Sequence, residues 1–192
     1  MALLNAWPVA GNRELGRAFL DMVRAFVYDR PFDLKALEDV RSMKRKIDQQ
    51  MTAREQRSRN VKLGTGGIRE IELIAQSLQV SHGGRIPRIR QRNTLQALGA
   101  LCDQSLISVE ERDQLTQAYI FLRNVENKLQ MVHDAQTHSL PRELEELNTC
   151  ARLLGYSNND RGPAAEQFLR DHKNHTSQVH SIFESRLLLS GH

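Results

Sequence analysis

The sequence predicts an all-α protein, an antiparallel helical bundle with short connections. Three observations predict it. Apolar residues recur at three- and four-residue spacing through most of the 192 residues, as one face of a helix requires. Long runs rich in Leu, Ala, Glu, Arg and Gln favour helix, because these side chains lose little rotamer freedom there. No strand-like alternation reaches a convincing length, and no internal repeat of fixed period is present.

Each element has its own signal. Leu15, Phe19, Met22, Val23, Phe26 and Val27 fall on one stripe of a first helix, with Asn12 as N-cap after Gly11. Pro31 forbids continuation, and Asp33 can cap a helix carrying Leu37, Val40, Met43, Ile47 and Met51 on one face. Basic side chains from Arg41 to Arg57 occupy its other face. A break from Ser58 to Gly67 precedes a helix opening at Ile68, with Ile71, Ile74, Ala75 and Leu78 inward. Arg69, Glu72 and Gln76 share a neighbouring face. Gly83 and Gly84 are expected to end this helix in the left-handed conformation.

Arg85 to Arg92 is a connector holding four arginines and Pro87, and Leu95, Leu98 and Leu101 mark a short helix from about Asn93 to Gln104. Ser108 and Glu111 form a capping box before a long helix with Leu115, Ala118, Tyr119, Leu122, Leu129 and Val132 on its core stripe. Leu140 and Pro141 separate it from a helix with Leu144, Leu147, Ala151 and Leu154, which Gly155 stops. After a turn-rich joint from Asn158 to Gly162, a last helix runs from about Pro163 to Leu188 with Phe168, Val179, Ile182 and Phe183 inward. The expected organisation is N-terminal helices over 1–57 and a bundle over 58–192, with a glycine-rich stretch at 58–84, together one compact module.

Composition narrows the class of function. A formal charge of +4 permits an anionic ligand such as a nucleotide, but no nucleic-acid recognition motif accompanies it, so nucleic acid is not an expected partner. Cys102 and Cys150, the only cysteines, lack metal-ligand spacing; neither a disulfide framework nor a metal site is expected, and a reducing cytoplasm fits. No apolar run reaches the length of a membrane span, and no membrane partner is expected. Ala2 to Trp7 reads as the tail of a helix begun upstream, in a larger protein.

One stretch invites chemistry: KLGTGGIREIE, from Lys62 to Glu72. Gly64, Gly66 and Gly67 let backbone approach a ligand closely, and the helix opening at Ile68 points unpaired amides and a positive dipole end toward the loop. Lys62 and Arg69 flank it with positive charge, and such a terminus can hold phosphate or carboxylate. The spacing matches neither the dinucleotide fingerprint nor the phosphate-binding loop ending in Gly-Lys-Ser/Thr. A sharp turn with Arg69 paired to a nearby acid explains the same residues, and both readings stay open on the residues alone.

The passages VKLGTGGIREIELIAQSLQVSHGGRIPRIRQRNTLQAL (Val61 to Leu98), AYIFLRNVENKLQMVHDAQTHSLP (Ala118 to Pro141) and FVYDRPFDLKALEDVRSMK resemble the glutamine synthetase adenylyltransferase family. GGIREIE and FLRNVENKLQ resemble its N-terminal, adenylyl-removing half, in which AMP leaves a tyrosine of glutamine synthetase with orthophosphate as ADP. The resemblance implies Mg2+, ATP, ADP and orthophosphate for the full-length enzyme, held by a Gly-Ser and an Asp-x-Asp motif on a β-sheet core. Neither motif is present here, so no catalytic residue is expected, no cofactor is required by this stretch, and isolated catalysis should be absent. Implied partners are glutamine synthetase, a nitrogen-regulatory signalling protein and the enzyme's own nucleotidyltransferase core.

On this resemblance Lys62, Gly64, Gly66, Gly67, Arg69 and Glu72 would line the nucleotide or orthophosphate site, with Glu72 orienting Arg69. The family shows Lys-Ala-Arg where this chain has Asn5, Ala6 and Trp7, so no role is carried to those positions. Arg92 matches a family arginine and Arg85 follows the matched double glycine, so both are candidates for partner or nucleotide contact, whereas Arg88 and Arg90 read as solvated. Arg123, Glu126 and Gln136, with Gln130, Asp134 and Thr137, suit a structural hydrogen-bond network or a partner contact. His172, His175 and His180 are expected on a solvated face, and Trp7 and Tyr119 in a core or domain interface.

Overall fold

The computed structural model describes residues 2–29, 42, 46, 58–133 and 138–188. Among these the α-helices are α1 (Arg13–Tyr28), α2 (Ile68–His82), α3 (Thr94–Asp103), α4 (Val109–His133), α5 (Leu144–Leu153) and α6 (Ala164–Phe183). Short 3-10 turns lie at Ala2–Asn5 and Pro87–Ile89, and a π turn, Glu184–Leu188, follows α6. Only isolated β-bridges occur among the described residues, so the expected all-α bundle class holds. Apart from Ser42 and Lys46, which are helical, the helix expected after Asp33 lies outside the described residues, as do Asp134, Gln136 and Thr137.

Local caps start the helices where the side-chain chemistry requires. Asn12 Oδ1 accepts from the amides of Glu14 (2.8 Å) and Leu15 (3.1 Å), and Asn93 Oδ1 accepts from Leu95 (3.0 Å) and Gln96 (3.1 Å). The capping box forms in both directions: the Ser108 amide donates to Glu111 Oε2 at 2.7 Å, and the Glu111 amide donates to Ser108 Oγ at 3.1 Å. Gly155, at φ 92°, stops α5.

The chain divides into two compact units, Met1–Val40 with Glu72–Arg112, and Arg41–Ile71 with Asp113–His192. In the first, Val23 is buried and Val27 half-buried, but Leu15, Phe19, Met22 and Phe26 are exposed, Leu15 at 71%. The α1 stripe is therefore a helix signal and, for those four residues, not a core. The stop at Gly83 and Gly84 also has another cause than expected, because neither glycine takes a positive φ. A Cβ on Gly83 would meet Tyr28 Cε1 at 2.5 Å and one on Gly84 the Tyr28 carbonyl oxygen at 2.5 Å; the glycines make room for Tyr28. Buried Gln79 donates from Nε2 to the carbonyls of Ile89 (2.8 Å) and Gln91 (2.7 Å), pinning the connector to α2.

In the second unit α5 packs on α6, and the core holds Leu115, Leu122, Val125, Leu129, Leu147, Phe168, Val179, Ile182 and Phe183. Aromatic contacts knit it further, with Phe121 and His175 ring centroids 4.7 Å apart and Tyr156 edge-on to Phe168 at 5.8 Å.

Candidate functional site

The glycine-rich loop takes its shape from Asn60. Its Oδ1 accepts from the amides of Lys62 (3.1 Å) and Leu63 (2.8 Å), an Asx turn that opens the loop. The Val61 amide donates to the His138 carbonyl at 2.8 Å and the Leu140 amide to that of Arg59 at 2.9 Å, tying the loop to residues 138–140. The amides of Gly67, Ile68, Arg69 and Glu70 donate to the carbonyls of Gly64, Val61, Lys62 and Gly67 at 2.9 to 3.0 Å. These are the donors that a bare helix N-terminus would offer an anion. Here the loop folds back and takes them.

Packing accounts for two of the glycines. Gly66 has φ 69°, and a methyl group on it would overlap the Thr176 backbone of α6. A Cβ on Gly67 would sit 2.8 Å from the Lys62 carbonyl oxygen and 2.9 Å from that of Val61. Gly64 is buried beside them. Among the charged side chains of this segment, Lys62 and Arg69 are both half-buried, with Glu72 half-buried one turn along α2 from Arg69.

Lys62 does not stand alone. Its Nζ lies 3.5 Å from Oε1 of Glu126, a carboxylate only 2% exposed on α4. Oε2 of the same carboxylate accepts from Arg123 at 2.5 Å, and Oε1 faces His138 Nδ1 at 3.1 Å. The Lys62 and Arg123 side chains remain 41% and 44% exposed. One buried carboxylate thus orients two cations, leaving an excess positive charge at the protein surface, and so favours an oxyanion. Arg123 and Glu126 pair with each other, and Lys62 and His138 join them. That pairing was not foreseen; the available signal was that Glu126 adjoins the stripe of Leu122, Val125 and Leu129.

The remaining expectations divide. Arg85 and Arg88 are exposed. Arg92 is exposed and lies 4.7 Å from the centroid of the Trp7 ring, and Trp7 is itself 55% exposed, so it is not a core residue. Arg90, expected in solvent, is half-buried: Nε donates to the Gly83 carbonyl at 2.8 Å and its guanidinium lies 4.4 Å from the Tyr28 ring centroid. Burial pushes the Tyr28 hydroxyl up, against the lowering effect of Arg90 and Arg24.

The histidines of α6 also depart from expectation. His172 is buried, and desolvation together with His175 pushes its pKa down to about 4. Burial lowers that of His175 as well, with Asp171 opposing. His180 is half-buried, its Nδ1 3.1 Å from Oε2 of buried Glu70 and its Nε2 3.4 Å from Glu184. Phe168, His172, His175, Val179 and Ile182 share one helical stripe, so the burial was legible in the spacing. Among the described residues no group of His, Cys, Asp and Glu is arranged to hold a metal ion, and no described helix is long and apolar enough to cross a membrane.

Comparison with known proteins adds an independent line. The family described as GlnD PII-uridylyltransferase matches residues 41–187. A bifunctional glutamine synthetase adenylyltransferase/adenylyl-removing enzyme of Rhodopseudomonas palustris is 44% identical over 83% of this chain and 16% of its own length. The enzyme of that name from Xanthobacter autotrophicus is 45% identical over 85% of this chain and 17% of its length. The one from Agrobacterium fabrum is 42% identical over 99% of this chain and 19% of its length. The chain therefore spans less than a fifth of these relatives.

Proposed function

The chain belongs to the glutamine synthetase adenylyltransferase/adenylyl-removing enzyme family, and on that premise we propose that it is a helical, non-catalytic part of such an enzyme, lining the adenylyl-removing site. The observation that carries this is Lys62 and Arg123 set on buried Glu126 at the edge of the glycine loop. Such cations need little reorganisation to receive the oxygens of a nucleotide phosphate or of attacking orthophosphate. Arg69 adds a third cationic side chain from the first turn of α2. The contacts are cationic side chains; the amides at the start of α2 are engaged within the loop.

Magnesium does not fit this cluster. Both oxygens of Glu126 already face nitrogen groups, and the described residues offer no further carboxylate set for a divalent ion. In this reading metal-assisted phosphoryl transfer belongs to the nucleotidyltransferase core. The other partners are glutamine synthetase and a nitrogen-signalling protein, in the cytoplasm.

A second reading, a linker or regulatory scaffold that touches no ligand, is favoured by one observation. The positions of Gly66 and Gly67 are fully explained by close packing. The two readings separate in one assay: phosphate-dependent release of ADP from adenylylated glutamine synthetase, by this chain alone and by the chain joined to an upstream nucleotidyltransferase segment. Activity is expected only in the longer protein, and there Lys62→Ala and Arg69→Ala should each lower it roughly tenfold or more. Undiminished release in both variants would leave the scaffold reading standing.

A further inference from the structure

The second unit carries a groove of about 550 Å³ that Lys62 and Arg123 do not line; Arg59, which does, donates to the Leu140 and Pro141 carbonyls. Thr65 of the glycine loop and Leu140 meet α6 there, and the α6 side chains His172, Lys173, Ser177 and Ser181 line it. The volume suits a small metabolite. Apolar surface comes from Leu140 and Leu169, and hydroxyls from Thr65, Ser177 and Ser181.

The charge is one-sided. Lys173 lines the groove and has no carboxylate partner among the described residues. Glu184, the one carboxylate of the lining, sits 3.4 Å from His180 Nε2. His172 is 5% exposed, and its Nε2 is buried without a hydrogen-bond partner. A buried polar atom in that state calls for a partner that the described residues do not supply. In a neutral imidazole Nε2 can carry the proton and donate it to an oxygen.

We propose that this groove binds a small organic anion, its carboxylate or phosphate group held by Lys173, the Ser177 and Ser181 hydroxyls and His172 Nε2. The site is separate from the Lys62–Glu126–Arg123 cluster. It does not depend on the adenylyl-removing reading.

Calorimetric titration of the full chain with succinate and, separately, inorganic phosphate tests this. The imidazole proton resonances of His172 are followed in parallel. Saturable binding of one or both anions is expected, with a shift of the His172 resonance and roughly fivefold or greater weakening in Lys173→Ala. Lys173 is exposed, so this variant should fold; His172→Gln, checked by its helical melt, should weaken binding further. Which anion saturates tells whether carboxylate or phosphate is the chemistry read. Saturable binding of neither anion would overturn the proposal. So would binding that Lys62→Ala weakens while Lys173→Ala leaves it intact, because the anion would then sit on the loop cluster.

Discussion

Two basic regions of this chain look alike as strings of letters and differ in what holds the charge. Around the glycine loop, Lys62 and Arg123 converge on Glu126, a carboxylate removed from water. In the connector, Arg90 and Arg92 lie over the rings of Tyr28 and Trp7, and Arg90 also donates to a carbonyl. A carboxylate anchor fixes where a cation points and leaves its outer edge available to an oxyanion. An aromatic face or a carbonyl holds the guanidinium for packing. Counting positive residues therefore locates neither kind of region; the anchoring group does.

The glycines give the strongest way to break this contrast. Gly66→Ala adds a side chain at φ 69° where it overlaps Thr176, and should cost about 2–4 kcal/mol in a denaturant melt. In α3, Gly99→Ala meets nothing within 4 Å and should stabilise by up to about 1 kcal/mol. If the two substitutions behaved alike, the tight seat of the loop on α6 would be wrong, and the cluster it positions would lose its support.

Acid should separate the regions next. The pKa of His172 falls from an unfolded value of 6.5 to about 4 in the folded chain, so the unfolded state binds more protons between those values. Stability is then fully present above pH 6.5 and declines as pH falls toward 4, by up to about 3 kcal/mol. Carboxylates titrate near the lower end too, so the informative quantity is the difference between the native chain and His172→Phe. The pH slope should flatten in that variant. Hydrogen exchange should show α6 loosening in acid before α3, which carries no histidine. Equal slopes in the two proteins would mean that His172 is not buried as a neutral base.

Glu126→Gln keeps the shape and removes the charge that gathers the cations. Lys62 and Arg123 are partly exposed and can recover water, so the loss should be about 1–3 kcal/mol rather than that of an orphaned buried ion. A neutral change would show that the three groups are held by packing, with the carboxylate incidental. It would also remove the argument that the cluster is poised for phosphate.

How much of this was legible follows from the range of each signal. Asn12, Asn93 and the Ser108/Glu111 box act within three residues, and all three caps form as their chemistry demands. The α1 stripe shows the limit: periodicity marks a helix face, while burial depends on what lies opposite, and Leu15 and Met22 face solvent. Gly83 was read through backbone conformation, the local possibility, whereas the deciding neighbour is Tyr28, distant in sequence. The same distance hid the loop cluster. Lys62, Arg123 and His138 could each be noticed alone, but only the fold brings them to Glu126.

The smallest effect sharpens the connector itself. Arg90→Ala removes a hydrogen bond to Gly83 and a guanidinium over Tyr28, and should cost about 1 kcal/mol. Arg88→Ala, two residues earlier and exposed, should stay within about 0.5 kcal/mol of the native chain. A residue spent on packing shows its loss in the melt, whereas one kept for a partner shows it only in binding. Arg85 and Arg92 can be sorted by the same pair of measurements. Should Arg92→Ala leave the melt untouched, its place over exposed Trp7 would be a resting position, and that guanidinium would join the groups available to a partner.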